Sequence, residues 1–256
     1  MWAGEMGDAC TKVYGQAVFC KSKLMYKLIY ELIYELSGVM ICVQYFTFNA
    51  FQEHTYVVYD AVTKACMVVD PGCETPEEAQ IIQDFIAQKG LQVVYLVNTH
   101  AHIDHMVGNY AMQQAYQVPL AIPKEDATLF ALAATHAPQY GFHHYQPARV
   151  DQLLTTADAF KVGQTTFEVL FVPGHSPGHI ALYDATAGVC FSGDVLFRGS
   201  IGRTDLMGGS LPTLLQSIQQ QLLPLGDHVK IYPGHGPITT IGEEKVHNPH
   251  LAAMEV

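Results

Sequence analysis

The chain has 256 residues, 49% of them hydrophobic, and 13 Lys plus Arg against 24 Asp plus Glu give a formal charge of −11. That length and apolar content suit one domain with one large core. The acidic balance would repel a phosphate backbone, so nucleic acid is a disfavoured partner. Residues 1–40 read as an N-terminal extension, helical or loosely ordered, ahead of a domain over residues 41–256. Within it KLMYKLIYELIYEL (Lys23 to Leu36) is interrupted by Lys27, Glu31 and Glu35, so no membrane span is expected. The opening MWAGEMGDAC lacks the basic region of a secretory signal. Cys10, Cys20, Cys42, Cys66, Cys73 and Cys190 are scattered without a C-x-x-C pair, which favours free thiols in a reducing cytoplasm.

From Ile41 the runs ICVQYFTF, TYVVYD and KACMVVD alternate with polar or turn residues and predict a β-meander. Thr75-Pro76-Glu77-Glu78 then offers a cap, a first-turn proline and acids at the positive helix end. Ile81, Ile82, Phe85 and Ile86 follow at helical spacing, and Gly90 ends the helix. Val93 to Val97 is a continuous apolar run, expected as a buried strand that stops at Asn98-Thr99-His100. A helix is expected over Val107 to Tyr116, a strand over Val118 to Ile122, a helix over Pro123 to Thr135 and an irregular loop over Ala137 to Arg149. The second half repeats the alternation, with strands over Phe167 to Val172, Ile180 to Tyr183, Val189 to Ser192 and Lys230 to Tyr232. A helix is expected from about Ser210 to Leu222. Two β-rich halves with outer helices place the chain in the α/β class and suggest a four-layer αββα sandwich.

The segment Thr99-His100-Ala101-His102-Ile103-Asp104-His105 gathers imidazoles and a carboxylate in the manner of a metal site. In extended backbone, residues two apart share a side, so His100 and His102 can hold one ion together. Asp104 and His105 fall after the chain turns and can reach a neighbouring ion. Three later segments, Val172-Pro173-Gly174-His175, Ser192-Gly193-Asp194 and Tyr232-Pro233-Gly234-His235, each set one more ligand on a glycine turn directly after a predicted strand.

H-x-H-x-D-H followed by single His, Asp and His ligands resembles the metallo-β-lactamase superfamily, from about Ile41 onward. SGDVLFRGSIGRTD (Ser192 to Asp205) and YPGHGPITTIGEEK (Tyr232 to Lys245) resemble its glyoxalase II branch, especially the short members that lack a C-terminal helical domain. The resemblance implies His100, His102 and His175 on one metal, Asp104, His105 and His235 on a second, and Asp194 bridging them. It also implies hydrolysis of a small-molecule thioester by a metal-bridging hydroxide, with Asp104 anchoring the second metal and orienting the nucleophile. Ligands without thiolate suit zinc, the first choice, and also iron or manganese.

Arg203 occupies the place of a basic substrate contact in the glyoxalase II enzymes, and an ion pair with Asp205 is an equal reading. Tyr140 and Tyr145 lie in the loop that could cover the site, as an aromatic lid or as ordinary surface. His54 and His179 carry no motif that makes them ligands. The 21 residues after His235 are too few for the helical domain that shapes much of the glutathione pocket in longer relatives. Mono-iron persulfide dioxygenases share H-x-H-x-D-H and remain an alternative, as do lactone and ester hydrolases. A β-lactamase is disfavoured because no cysteine takes the position of Asp194, and a non-catalytic metal-binding interaction protein because structural zinc closes with four ligands.

Overall fold

The computed structural model describes residues 41–252, so the extension expected over residues 1–40 lies outside the described residues. The expected meander forms β1 (Ile41–Phe48), β2 (Glu53–Asp60) and β3 (Ala65–Val69), paired antiparallel in that order. Helix α1 (Pro76–Lys89) follows, with a full capping box between Thr75 and Glu78 and Gly90 in the left-handed region at φ 64°. It carries the chain into β4 (Gln92–Val97), which pairs parallel to β3. Helix α2 (Asn109–Tyr116) and β5 (Leu120–Pro123), then α3 (Ala127–His136) and β6 (Gln152–Leu154), extend the same parallel edge.

The helix expected from Pro123 begins later. Pro123 pairs with Leu154 in the sheet, and Lys124–Asp126 form a 3-10 turn before α3. Asp126 does not cap its own helix, because its carboxylate points inward to other segments. The loop after α3 opens with a 3-10 turn over Ala137–Tyr140 rather than wholly irregular chain.

The second sheet runs β14 (Thr239–Thr240), β13 (Lys230–Pro233), β10 (Val189–Gly193), β9 (Ile180–Asp184), β8 (Thr165–Phe171), β7 (Ala159–Val162). A small hairpin of β11 (Leu196–Phe197) and β12 (Ser200–Ile201) stands apart from it. Helix α4 (Leu211–Ser217) continues as a π-helical turn over Ile218–Leu222, where one continuous helix was expected. Helix α5 (Ile241–His247) follows β14. Among the described residues no helix is long and apolar enough to cross a membrane.

Residue alternation along the strands explains the layering. In β2, Val57 and Tyr59 join the core shared with Ile82, Ile86, Met112 and Phe130 of α1 to α3. The intervening Tyr56 and Val58 face the other sheet, packing with Phe167, Leu182 and Phe191. In β10, Phe191 faces that same central core, while Cys190 faces Leu214, Ile218 and Ile241 on the far side. Each sheet is therefore apolar on both faces, one against its partner sheet and one against helices, which yields the four layers α, β, β, α. The loops leaving the C-terminal ends of β3, β4, β8, β10 and β13 converge at one rim of the sandwich.

Candidate metal centre

The rim brings all seven residues of the expected ligand set together. His100, His102 and His175 form one group and Asp104, His105 and His235 another, each with ligand-type atoms within 4.8 Å of one another. In the first, His102 Nδ1 lies 2.8 Å from His175 Nε2. In the second, His235 Nε2 lies 3.2 Å from His105 Nε2 and 3.3 Å from Asp104 Oδ2. Asp194 stands between them, Oδ2 3.4 Å from His175 Nε2 and Oδ1 3.4 Å from His105 Nε2.

Hydrogen bonds on the outer edges of the rings fix which nitrogen faces inward. The carbonyls of Arg203 and Phe51 can only accept, so His175 and His235 donate Nδ1–H to them at 2.8 and 3.0 Å and turn Nε2 to the centre. His105 Nδ1 is 3.2 Å from Asp70 Oδ2. Thr99 donates its hydroxyl to that same oxygen at 2.7 Å and so accepts from His100 Nδ1 at 3.0 Å. His100 Nε2 and Asp194 Oδ1 are then buried polar atoms without a hydrogen-bond partner. Buried orphans of this kind, aimed into a nest of nitrogen and carboxylate donors, fit a metal ion.

Asp70, His100 and His105 also cluster closely enough to suggest a third site. The carboxylate of Asp70 is already taken by the backbone and hydroxyl of Thr99 and by His105. Asp70 is a brace that orients two ring faces.

Electrostatics separate the two groups. Burial pushes His100 well below the ordinary histidine value and brings His102 down to about 4, with neighbouring imidazoles adding to the effect. Burial works against charge at His235 too, yet hydrogen bonds donated to the Asp104 and Asp194 carboxylates carry it up to about 9. His105 is likewise raised despite burial, through the charges of Asp194 and Asp104, and His105 in turn outweighs burial to hold Asp194 low. Without an ion the second group keeps protons that a cation would displace.

Glycine is required where the loops close. A Cβ on Gly234 would strike Asp194 Oδ1 and the His105 ring, and one on Gly193, at φ 47°, would strike Thr99 Oγ1 and the His179 ring. Side-chain volume is excluded so that backbone can approach the ligands.

Three residues outside the expected set complete the site. Asp70 ends the VVD run at a strand end ahead of Pro71-Gly72, so a turn glycine lies beside it as at the expected ligands, but after the acid rather than before it. His179, expected to have no motif support, does close a further Pro-Gly-His, at 177–179; its Nε2 accepts the Asp194 N–H at 3.0 Å and its ring stacks on His100 at 4.6 Å. Asp126 accepts from Ala101 N–H at 3.0 Å, Ser176 hydroxyl at 2.7 Å and Gly178 N–H, clamping the first group from behind, and nothing local in PKEDATLF signals it.

The expected substrate contacts divide. Arg203 makes a two-point ion pair with Asp205, 2.7 Å at each contact, and both side chains are exposed. Tyr140 is exposed and meets Phe51 edge-on at 6.4 Å, while Phe51 holds His235 through its carbonyl. Tyr145 instead packs against the core under α1 to α3, where burial pushes its hydroxyl up to about 12.

Comparison with known proteins places these features in a family. The model of the metallo-beta-lactamase superfamily matches residues 49–235. Hydroxyacylglutathione hydrolase GloC of Haemophilus influenzae is 36% identical over 79% of this chain and 94% of its own. The mitochondrial persulfide dioxygenase ETHE1 of Homo sapiens is 28% identical over 77% of this chain and 70% of its own. The crystal structure of BLEG-1 B3 metallo-beta-lactamase aligns with a TM-score of 0.75 and 34% identity, covering 82% of this chain and 99% of that one. The matched span contains every residue of the expected ligand set from His100 to His235, and the chain belongs to the metallo-β-lactamase superfamily.

Proposed function

We propose that this protein is a binuclear metallo-hydrolase that cleaves a small thioester, S-D-lactoylglutathione being the first substrate to test. The observation that carries the reading is Asp194, whose carboxylate meets both ligand groups: Oδ2 lies 3.4 Å from His175 Nε2 and 3.5 Å from His235 Nε2, and Oδ1 lies 3.4 Å from His105 Nε2. His100, His102 and His175 would hold one divalent ion, Asp104, His105 and His235 the other, with Asp194 shared. Zinc is the first choice, and iron or manganese also suits the donor set. Such ions, when bound, lower the pKa of a shared water to about 7 and polarise a carbonyl oxygen.

The protein's own groups supply order around that chemistry. Asp104, whose Oδ2 lies 3.3 Å from His235 Nε2, would anchor the second ion and accept a hydrogen bond from an attacking water. Asp70 and the carbonyls of Arg203 and Phe51 hold the imidazoles in the ligating tautomer. Departure of a thiolate, whose parent thiol has a pKa of about 8.5, needs no strong general acid, and none is required of the site. Similarity to GloC over nearly that protein's whole length supports the thioester substrate. The buried thiols of Cys66, Cys73 and Cys190, each pushed up to about 12 by burial, suit a reducing compartment such as the cytoplasm.

The likeness to persulfide dioxygenase ETHE1 favours a second reading, oxidation at a single iron. Metal analysis joined to a substrate panel separates the two. Two ions per chain and thiol release from S-D-lactoylglutathione, lost on chelation, is the expected result. One iron per chain with oxygen uptake on glutathione persulfide would overturn it, and so would turnover confined to a β-lactam or lactone.

A further inference from the structure

The two ligand groups are held by different parts of the fold. Behind the first stands Asp126, joined to Ala101, Ser176 and Gly178. Behind the second stands the turn between β1 and β2. Asn49 Nδ2 donates to the carbonyl of Asp104 and to that of Gly72, both at 3.0 Å. Its Oδ1 accepts from Phe51 N–H at 2.9 Å, and the Phe51 carbonyl two residues on receives His235 Nδ1–H. One side chain thus bears on both Asp104 and His235.

His54 holds the other side of the same ligand loop. Its backbone N–H donates to the Gly234 carbonyl at 2.8 Å, and Nε2 lies 2.7 Å from the Gly236 carbonyl, so Nε2 carries the proton. Nδ1 then accepts from the Thr47 hydroxyl at 2.9 Å, which leaves the buried ring fully satisfied and fixes its tautomer. Glu53 adds a backbone bridge to His235 itself. His235 is therefore flanked, at Gly234 and Gly236, by carbonyls tied to one residue of β2. Neither Asn49 nor His54 touches the first group, and Asp126 makes no bond to the second.

We propose that Asn49 and His54 are positioning residues that set the affinity of the second ion, independently of the first. This rests on the binuclear reading. It makes the chain's metal count a property of the β1–β2 turn: with the turn intact two ions are held, and with it loosened the first group alone retains one. Outer-shell partners of metal ligands commonly change affinity by about 10–100-fold, and the same range is expected here for the second ion only.

Substitutions can be chosen so that folding is spared. Asn49 has φ 51°, a left-handed conformation that alanine would strain, so Asn49→Gly removes the amide while keeping the turn. His54→Phe keeps ring volume and removes both polar atoms, and His54→Gln restores a donor for Gly236. Metal-free full-length chain is titrated with zinc by calorimetry, with metal per chain measured after dialysis at buffered free zinc and cobalt spectra recorded in parallel.

The expected result is two ions in the parent chain. Asn49→Gly and His54→Phe should bind the second about 10–100-fold more weakly with the first unchanged, and His54→Gln should fall between. Two ions in the parent with unaltered second-ion affinity in both folded variants would overturn the inference and leave the binuclear reading standing. Equal weakening of both ions would overturn it as well. A single ion in the parent chain would overturn the binuclear reading and this inference with it.

Discussion

Thr99 gives both of its donors to Asp70, the backbone N–H to Oδ1 and the hydroxyl to Oδ2, each at 2.7 Å. The pair lies at the C-terminal ends of neighbouring parallel strands β3 and β4, so the first sheet itself fixes the carboxylate that orients His105 and His100. Through Asp70 Oδ2 that order passes directly to His105 and, by way of the Thr99 hydroxyl, to His100.

Asp70→Asn tests this relay. An amide NH2 at the Oδ2 position cannot accept from His105 Nδ1–H, which forces the ring toward the tautomer that does not ligate. Metal affinity should fall about 10–100-fold. The buried donors left behind should also lower stability, by about 1–3 kcal/mol. Calorimetric metal titration and denaturant melts measure the two effects. A variant with parental affinity would show that Asp70 does not set the tautomer.

Asp194→Ala removes the carboxylate that faces both groups. We expect loss of at least one ion and a fall in turnover of about 100-fold or more, the scale seen when a group acting on developing charge is removed. Metal analysis and initial rates check this directly. Two retained ions in the purified variant would contradict a shared position.

Much of this site was legible in the chain because its signals are local. His100, His102, Asp104 and His105 lie in one short segment, and His175, Asp194 and His235 each sit on a glycine turn after a strand. Asp126 was not legible, since its partners Ala101 and Gly178 are 25 and 52 residues away in sequence. His179 shows the limit of a motif: it has the same Pro-Gly-His as His175 and His235, yet its Nε2 is occupied by the Asp194 N–H. Tyr145 shows the converse, an aromatic of the expected covering loop that the apolar core under α1 to α3 draws inward. In the fold, the long strands and the capped α1 could be read, whereas β6, β11, β12 and β14, of two or three residues each, are too short for a period to register.

Ion binding should release protons and strengthen with pH. His235, carried up to about 9 against burial by Asp104 and Asp194, is protonated at pH 7 in the metal-free chain, and His105 is raised as well. A cation must displace those protons, so affinity should rise from about pH 6.5 to 9. The same shift has the opposite sign for the metal-free fold. Its contribution is full below the unfolded value of about 6.5 and is lost as pH rises through about 9. Titrations in buffers of different ionisation enthalpy read the proton release. Heats that do not depend on the buffer at pH 7 would refute it.

Gly234→Ala should be among the most damaging small changes in the chain. The added methyl would fall on Asp194 Oδ1 and the His105 ring, neither of which can retreat, since His105 is fixed by Asp70 and Asp194 by the loop on His179. Overpacking of this kind costs about 1–3 kcal/mol, and here it falls on ligands. Both the melting temperature and the metal content should drop. A variant that melts like the parent and holds two ions would mean that the rim is looser than its contacts imply.

Arg203 separates backbone from side-chain roles at one position. Its carbonyl receives His175 Nδ1–H, while its guanidinium pairs with Asp205 in solvent. Exposed pairs of this sort contribute little to stability. Arg203→Ala keeps the carbonyl, so metal content and melting temperature should match the parent. If the guanidinium leaves Asp205 to bind a substrate carboxylate, the variant should show a raised KM with kcat near the parental value, the pattern of lost uniform binding. Arg203→Lys should recover only part of it, because a lysine cannot reproduce the two-point contact. Unchanged KM in both variants would assign the side chain to the loop alone, and a fall in metal content would show that the carbonyl does not hold His175 without it.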